Sequence, residues 1–590
     1  MFRTRIKQAL AQAAETLGLP AAVIHLETPV EATHGDYATN LALVLARPSA
    51  RPPREIGEAL VEELKKDGFE AIVAGPGFVN ITISRPELLS ALTRVLEAPE
   101  EWGRSTAGEG KTVIVEYFQL NIAKTPHVGH LRSAVIGDAL KRMLLSRGCH
   151  AVSDTHVGDW GTQFGILLWA YKNLVSGKDR VVYEQDPFNN LEKLYQAANL
   201  QILSNPELRE EGKKEFAKLE RGDEENRQIW QWMVEISMEK LRVNAERLGL
   251  LPFDEHMGES AYETMMPPIV ALALDSGVAK KTADGAVIAD LTSEGLDEAV
   301  LIKSDGASTY LLRDLATIKH RKDKWRFWRN LYIVDVRQSH HFRQLFRVAE
   351  LLGFEGVGAS VHVESGFMTL PEGPMSTRKG NTVHLEKVMD EAVARARRII
   401  AEKNPDLRNA DEVAEAVGIG ALKYFDLSHH RKSDIVFSWD EALNFEGNTA
   451  PYIQYTNARL RSILRKISGD ADGNNITVSS SQGHGGVAAS FEHIRNGKVG
   501  AFDETERLLL VTTTRFPEII EDALEDFTPN TLANYLFTLA QRTNEFYHTH
   551  PVTQETNRIK KDLRIDLISA ISLTLARGLG LLGIKAPEEM

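Results

Sequence analysis

Residues 111–165 constrain what this chain can fold into more than any other stretch. They read KTVIVEYFQLNIAKTPHVGHLRSAVIGDALKRMLLSRGCHAVSDTHVGDWGTQFG. Residues 111–117 are apolar and β-branched, which predicts a buried strand. A loop follows, with Asn121, Lys124, Thr125 and Pro126. Apolar residues then recur at helical spacing (Val128, Leu131, Val135, Ile136, Leu140, Met143, Leu144), and Gly148 supplies the stop. Residues 150–156 predict a second strand. Strand, helix, strand in this order makes a right-handed βαβ unit. Ligands of such sheets bind at the carboxyl ends of the strands, where this loop and helix start fall.

His127, Gly129 and His130 form H-x-G-H where the helix begins. Two imidazoles three residues apart share one helix face. The helix N-terminus adds free N–H groups and a partial positive charge. Gly129 has no side chain, so a flat ring or a phosphate can approach the backbone. These features predict a polyphosphate site. The competing reading of the same residues is a pair of histidines that only cap a helix.

At 590 residues the chain has room for three or four domains. No apolar run approaches the roughly 20 residues of a membrane span. The first eighteen residues carry charges throughout an amphipathic pattern, which argues against a secretory signal. The single cysteine, Cys149, excludes an internal disulfide and a cysteine-based zinc site, and its place just after a helix predicts buried filler. A reducing cytoplasm fits. With 69 basic and 82 acidic residues the net charge is −13, which argues mildly against a nucleic-acid binder. Binding needs only a local basic stripe, so the total does not exclude one.

Residues 1–108 read as a small α/β unit. Phe2, Ile6, Ala9, Leu10, Ala13 and Leu17 make one helical face; HGDYATNLALVLAR leads from His34 into a second helix; PREIGEALVEELKKDG is a third, bounded by Pro53 and Gly68. IVAGPGFVNITI reads as a strand broken by a Gly-Pro-Gly turn. Residues 109–370 read as an α/β domain, with a polar helical insertion at about 172–255 between the halves of a doubly wound sheet. Trp230, Trp232 and Met233 of the insertion are expected in its core. The second half supplies two more strands, in AVLIKSD and in LYIVDV, each leading to a helix. Tyr310 and Asp314, four apart, share a helix or turn face. Gln338 follows the second of these strands at a carboxyl edge. Residues 371–445 are a connecting stretch, helical from about 386. Residues 446–590 read as a helix bundle, interrupted by the Gly/Ser/Asn-rich ISGDADGNNITVSSSQGHGG, an expected exposed loop. Tyr452, Tyr455, Arg459, Arg461, Arg465 and Lys466 fall along one helix of the bundle. Interleaved aromatic and basic residues can stack bases and hold phosphates; a solvated helix with buried tyrosines explains the same pattern.

H-x-G-H after a strand is similar to the ATP site of class I aminoacyl-tRNA synthetases. The wider run, E-Y-x-x-x-N-I-A-K-x-x-H-V-G-H-L-R-S followed by H-V-G-D-W-G-T-Q-F-G, resembles the arginyl-tRNA synthetases in particular. The resemblance implies a multidomain α/β plus all-α protein. A Rossmann-like doubly wound parallel sheet would be flanked by an N-terminal domain that contacts the tRNA elbow and by a C-terminal anticodon-binding helical bundle. It implies a cytoplasmic monomer that activates L-arginine with ATP and passes it to tRNA. Magnesium would arrive with the ATP, with no tightly bound metal or organic cofactor.

Residue by residue, the resemblance places Glu116, Asn121, Tyr310, Asp314 and Gln338 on the arginine. A guanidinium is planar with five fixed donors that carboxylates match in pairs. Lysine would leave acceptors unpaired, at a cost on the order of 1–3 kcal/mol. His127, Gly129 and His130 would hold ATP. Met375, Ser376, Thr377, Arg378 and Lys379 resemble the second class I motif, Lys-Met-Ser-Lys-Ser, with Pro374 and Thr377 at its lysine positions. Arg378 and Lys379 keep the charge, and Lys124 is in place to stand in; basic groups here neutralise the leaving pyrophosphate. Phe78 and Asn80 would meet a base of the tRNA elbow, against the alternative of Phe78 in the core and Asn80 in a turn. Tyr452, Tyr455 and Arg459 would meet the anticodon arm. Phe118-Gln119-Leu120 departs from the family's small polar pair and proline. Two rival readings remain at this stage: an H-x-G-H nucleotidyl transferase that acts without RNA, and a tRNA-binding paralogue without catalysis.

Overall fold

The computed structural model describes residues 2–29, 31–175, 185–369, 384–469 and 503–590. At its centre four parallel strands lie in the order Ser360–Ser365, Arg329–Asp335, Thr112–Glu116, His150–Asp154. Val113, Ile114 and Val115 are all buried, as a strand covered on both faces requires. The chain winds outward in both directions from Thr112–Glu116, so the strand order reverses between it and Arg329–Asp335. That reversal opens a crevice at the carboxyl ends of the two strands. The helix Val128–Ser146 follows the first strand, and Gly148, at φ +79°, turns the chain into the next.

One strand expectation changes, and one strand was not expected. Ala299–Ile302 does not join the parallel sheet; it pairs antiparallel with Val287–Ala289, which in turn pairs with Lys280–Lys281. The link from Ala289 to Ala299 is shorter than the dozen or so residues that a parallel crossover needs. The fourth parallel strand is Ser360–Ser365, reached through the helix Ser339–Leu351.

In the N-terminal unit a three-stranded antiparallel sheet, Tyr37–Thr39, Phe78–Thr82, Glu70–Ala74, packs with the helices Phe2–Thr16, Leu41–Ser49, Pro53–Lys66 and Arg85–Glu97. The Gly-Pro-Gly turn closes a hairpin rather than interrupting one strand. The inserted helices Pro187–Ser204, Leu208–Glu220 and Glu224–Arg247 pack beside Thr162–Leu174. Met233 is buried and Trp230 and Trp232 are half-buried. Cys149 is buried. After Leu385–Lys403 and Ala410–Leu427 come the helices Ala450–Ser468, Glu504–Thr514, Phe516–Glu525, Pro529–Thr549 and Arg558–Leu581. The Gly/Ser/Asn-rich segment lies outside the described residues. No helix among the described residues is long and apolar enough to cross a membrane.

One continuous apolar core runs from the N-terminal helices through Val128–Ser146 into the C-terminal bundle. Polar ties reinforce it. Tyr37 donates to Glu518 at 2.7 Å, Arg507 pairs with Asp36 at 2.6 Å, and Trp102 Nε1 donates to Thr574 Oγ1 at 2.9 Å. Lys423 is fully buried where three parts meet: its Nζ donates to the carbonyls of Leu248 (2.9 Å) and Gly583 (2.7 Å) and lies 3.7 Å from Asp138 of the H-x-G-H helix. Burial pulls its pKa down to about 8.

Candidate active site

His127 is the N-cap of the helix Val128–Ser146, and the two histidines cap it jointly. The Gly129 N–H donates to His127 Nδ1 and the His127 N–H donates to His130 Nδ1, both at 3.1 Å. An imidazole nitrogen that accepts a hydrogen bond carries no proton, so in each neutral ring the proton sits on Nε2. The rings lie against each other, 3.9 Å between centroids. Burial, with His384 and Lys124 nearby, lowers the pKa of His127; burial and His127 push that of His130 down to about 3. Both rings are therefore neutral near pH 7, and each has one Nε2–H left to donate at the positive end of the helix. Capping and anion binding are thus two uses of the same rings, and the capping reading does not compete with the functional one. Lys124 Nζ lies 5.7 Å from the Tyr195 ring centre. His384 forms an antiparallel bridge with His127, and the Leu385 N–H donates to the Pro126 carbonyl at 2.9 Å. Met375, Ser376, Thr377, Arg378 and Lys379 lie outside the described residues.

At the carboxyl ends of the strands stands a cluster of carboxylates. Glu116 and Asp154, the last residues of neighbouring strands, share one buried guanidinium: Arg321 lies 2.6 Å from Glu116 Oε2 and 2.8 Å from Asp154 Oδ2. Glu116 is 4% exposed, and its other oxygen accepts from Gln119 Nε2 at 3.1 Å. Asp314 lies between two imidazoles, His341 Nε2 at 2.6 Å and His156 Nε2 at 3.6 Å. Burial opposes a charge on His156, but Glu116, Asp314 and Asp154 outweigh it and raise its pKa. With Arg321 cancelling one of the three carboxylate charges, the cluster keeps a net negative charge as long as no more than one of its two imidazoles is protonated. A cation fits it.

Tyr310 begins the helix Tyr310–Trp325 that carries Asp314, and it is 66% exposed under the Arg313 guanidinium. Gln338 is exposed at the start of Ser339–Leu351, the helix that brings His341 to Asp314. Asn121 is exposed and bridges to Gly158, where a side chain on Gly158 would collide with the asparagine amide. Phe118, Ala123 and His156 all have positive φ (+59°, +60° and +39°) without being glycine, so backbone strain concentrates around this crevice. The Phe118 N–H donates to Ser133 Oγ, which holds the departing Phe-Gln-Leu segment against the H-x-G-H helix.

The structure brings Glu116, Asp154, His156, Asp314, Arg321 and His341 together. Of these, sequence reasoning singled out only Glu116 and Asp314. His156 was signalled by its place just past a strand end. Arg321 was signalled by the face it shares with Asp314 and Thr317, seven and four residues before it on one helix.

The residues expected at tRNA divide. Phe78 is half-buried and Asn80 is 6% exposed, in mid-strand opposite the 61% exposed Ile72. Tyr455 is 44% exposed and Arg459 stacks on Tyr547 at 4.0 Å, so this pair reaches the surface between two helices. Tyr452 is half-buried and accepts from Asn544 at 2.9 Å. Arg461 and Arg465 turn instead to Glu588 and Glu589 near the C-terminus, and Lys466 is exposed. Among the described residues one group, Asp503, Glu506 and His550, has the spacing of a metal site; His550 is bonded to Asp503 and Glu506 to Arg564.

Three family models match the chain: the arginyl tRNA synthetase N-terminal domain over residues 1–83, the catalytic domain of class I tRNA synthetases (R) over 91–439, and the DALR anticodon binding domain over 453–590. The chain is 36% identical over 587 residues to the arginine–tRNA ligase of Lactococcus lactis subsp. lactis, covering 99% of each. It is 35% identical over 591 residues to that of Alkaliphilus metalliredigens, covering 100% of each. Among solved structures it resembles the arginyl-tRNA synthetase of Thermus thermophilus with a TM-score of 0.80 at 26% identity over 100% of both chains.

Proposed function

The chain belongs to the arginyl-tRNA synthetase family and joins L-arginine to tRNA, with ATP cleaved to AMP and pyrophosphate; from that premise we propose which of its residues perform each step. In the first step a carboxylate oxygen of arginine attacks the α-phosphorus of ATP. The new C–O–P bond forms as the bond to pyrophosphate breaks. In the second, a ribose hydroxyl at the 3′ end of the tRNA attacks the arginyl carbonyl and AMP leaves. Neither step needs a nucleophile from the protein, because positioning and electrostatics carry such transfers.

His127 and His130 donate their Nε2–H groups to the phosphate region, and the positive end of the helix lies there beside the side-chain-free Gly129. Lys124, Arg378 and Lys379 neutralise the leaving pyrophosphate, with Met375 and Ser376 beside the nucleotide. Magnesium arrives bound to the ATP. The substrate guanidinium lies in the carboxylate cluster. Asp314 takes its charge, and Tyr310, Gln338 and Asn121 are the exposed polar groups around it. Glu116 acts together with Arg321 and Asp154 as a fixed, partly neutralised wall. The net negative charge of this cluster, at the point where the strand order reverses, is the observation that carries the assignment. Of the pair Phe78 and Asn80, the half-buried Phe78 meets the tRNA elbow and the buried Asn80 supports its strand; Tyr452, Tyr455 and Arg459 meet the anticodon arm. The protein works as a cytoplasmic monomer.

Amino-acid-dependent ATP–pyrophosphate exchange with all twenty amino acids, with and without bulk tRNA, tests the assignment. Exchange with arginine alone is expected, and its loss in His127→Asn by at least about tenfold. Unimpaired exchange in that variant would remove the histidines from the ATP site.

A further inference from the structure

We propose that Arg132 is a positioning residue for arginine activation, a buried guanidinium that sets the H-x-G-H helix in register with the chain that leads into residues 370–383. The inference rests on the ATP assignment made above.

Arg132 lies five residues after His127 and is 2% exposed. Few arginines are buried this deeply, and those that are have partners for their charge. Its Nη1 donates to the carbonyls of Ser433 (2.7 Å) and Phe367 (3.3 Å), and its Nη2 donates to that of Arg431 (3.2 Å). Its Nε lies 2.9 Å from Asp426 Oδ2, a carboxylate 1% exposed. The planar fork therefore grips three carbonyls on two strands of chain that are far apart in sequence, while Asp426 balances its charge. A lysine ammonium, one point charge, has no comparable fork.

What it grips is the junction before the second motif. Met368–Thr369 pairs in parallel with Ile435–Val436. Gly366 approaches Ser433 so closely that a Cβ on it would sit 2.4 Å from the Ser433 carbonyl oxygen. The Gly366 N–H donates to the Arg431 carbonyl at 2.8 Å, and the Phe367 N–H to Asp434 at 2.7 Å. On the far side of residues 370–383, Leu385 and His384 bond back to Pro126 and His127. Both described flanks of that segment thus rest on the start of one helix, and Arg132 ties the upstream flank. The groups assigned to the arginine side chain sit on other elements and make no bond to Arg132. Its loss should disturb the phosphate end of the reaction and spare amino-acid binding.

The test uses the full-length enzyme. Arg132→Lys keeps the charge beside Asp426 and loses the fork; Asp426→Asn keeps the fork and loses the anchor. Pyrophosphate exchange is normalised to titrated active sites, and arginine affinity is measured separately by calorimetry. The expected result for R132K is a kcat lower by about ten- to a hundredfold, the scale of a misplacement near 1 Å, with arginine Kd within twofold of wild type. D426N should show the same split with a smaller loss. A normalised kcat within twofold of wild type in both variants overturns the proposal, as does an arginine affinity that falls in step with kcat. His127→Asn in the same assay separates failures: if it too retains full rate, the ATP assignment fails; if it alone loses rate, only the role of Arg132 fails.

Discussion

Replacing His130 once by asparagine and once by glutamine separates two jobs that a single ring performs. Its Nδ1 accepts the N-cap N–H of His127 at 3.1 Å, and its Nε2–H faces away from that bond. An asparagine amide oxygen reaches the Nδ1 position and stops short of Nε2. A glutamine amide nitrogen reaches the Nε2 position and leaves Nδ1 unfilled. H130N therefore keeps the cap and loses the donor; H130Q does the reverse. One preorganised donor to developing charge is worth about 2.7–4 kcal/mol, or about 10²–10³ in rate. One cap is worth about 1 kcal/mol of stability. Single-turnover formation of the arginyl adenylate should fall by about 10²–10³ in H130N while its Tm stays at the wild-type value. In H130Q the rate should fall less than about tenfold, with a Tm lower by about 1–3 °C. The reverse order, a nearly active asparagine variant and a dead glutamine variant, would refute the tautomer reasoning and leave the ring as a cap alone.

Protonated His156 competes with a substrate guanidinium for Asp314, 3.6 Å away. Because the surrounding carboxylates raise its pKa, arginine KM should fall as pH rises through that pKa, and His156→Asn should flatten the profile while Arg321 and His341 stay in place. Asp566 is buried with Oδ2 unbonded, and burial followed by Asp562 lifts its pKa to about 7 from an ordinary 3.8. The folded state then holds more protons than the unfolded state between those values, so this contribution to stability is present at low pH and lost as pH rises through 7. Asp566→Asn should raise Tm at pH 8, through a stability gain on the order of 4 kcal/mol, and change little at pH 4; an equal shift at both pH values would contradict the burial argument.

What was legible in the sequence was local. The strand, loop and helix of residues 111–146 carry their own periodicity, cap and stop, so their order and place needed no distant information. Ala299–Ile302 was read as a strand correctly but gave no sign of its partner, because pairing is decided by the length of the link to Val287–Ala289. The buried charges were the least visible. Arg132, Arg321 and Lys423 read by default as surface residues, and their partners lie up to 301 residues away, as for Arg132 and Ser433. Arg132 did leave a trace, since Val128, Val135 and Ile136 surround it on an apolar helix face. A charge set into such a stripe points to a buried partner.

The claim on which most depends is that Asp314 reads the charge of the substrate. Citrulline has the shape of arginine without the positive charge. Pyrophosphate exchange with the two amino acids, in wild type and in Asp314→Asn, measures that directly. A hydrogen bond to a charged group is worth about 1.5–3 kcal/mol, so the kcat/KM ratio of arginine to citrulline should narrow by about ten- to a hundredfold in the variant. An unchanged ratio, with both rates lowered together, would contradict the account and move the recognition of the guanidinium elsewhere.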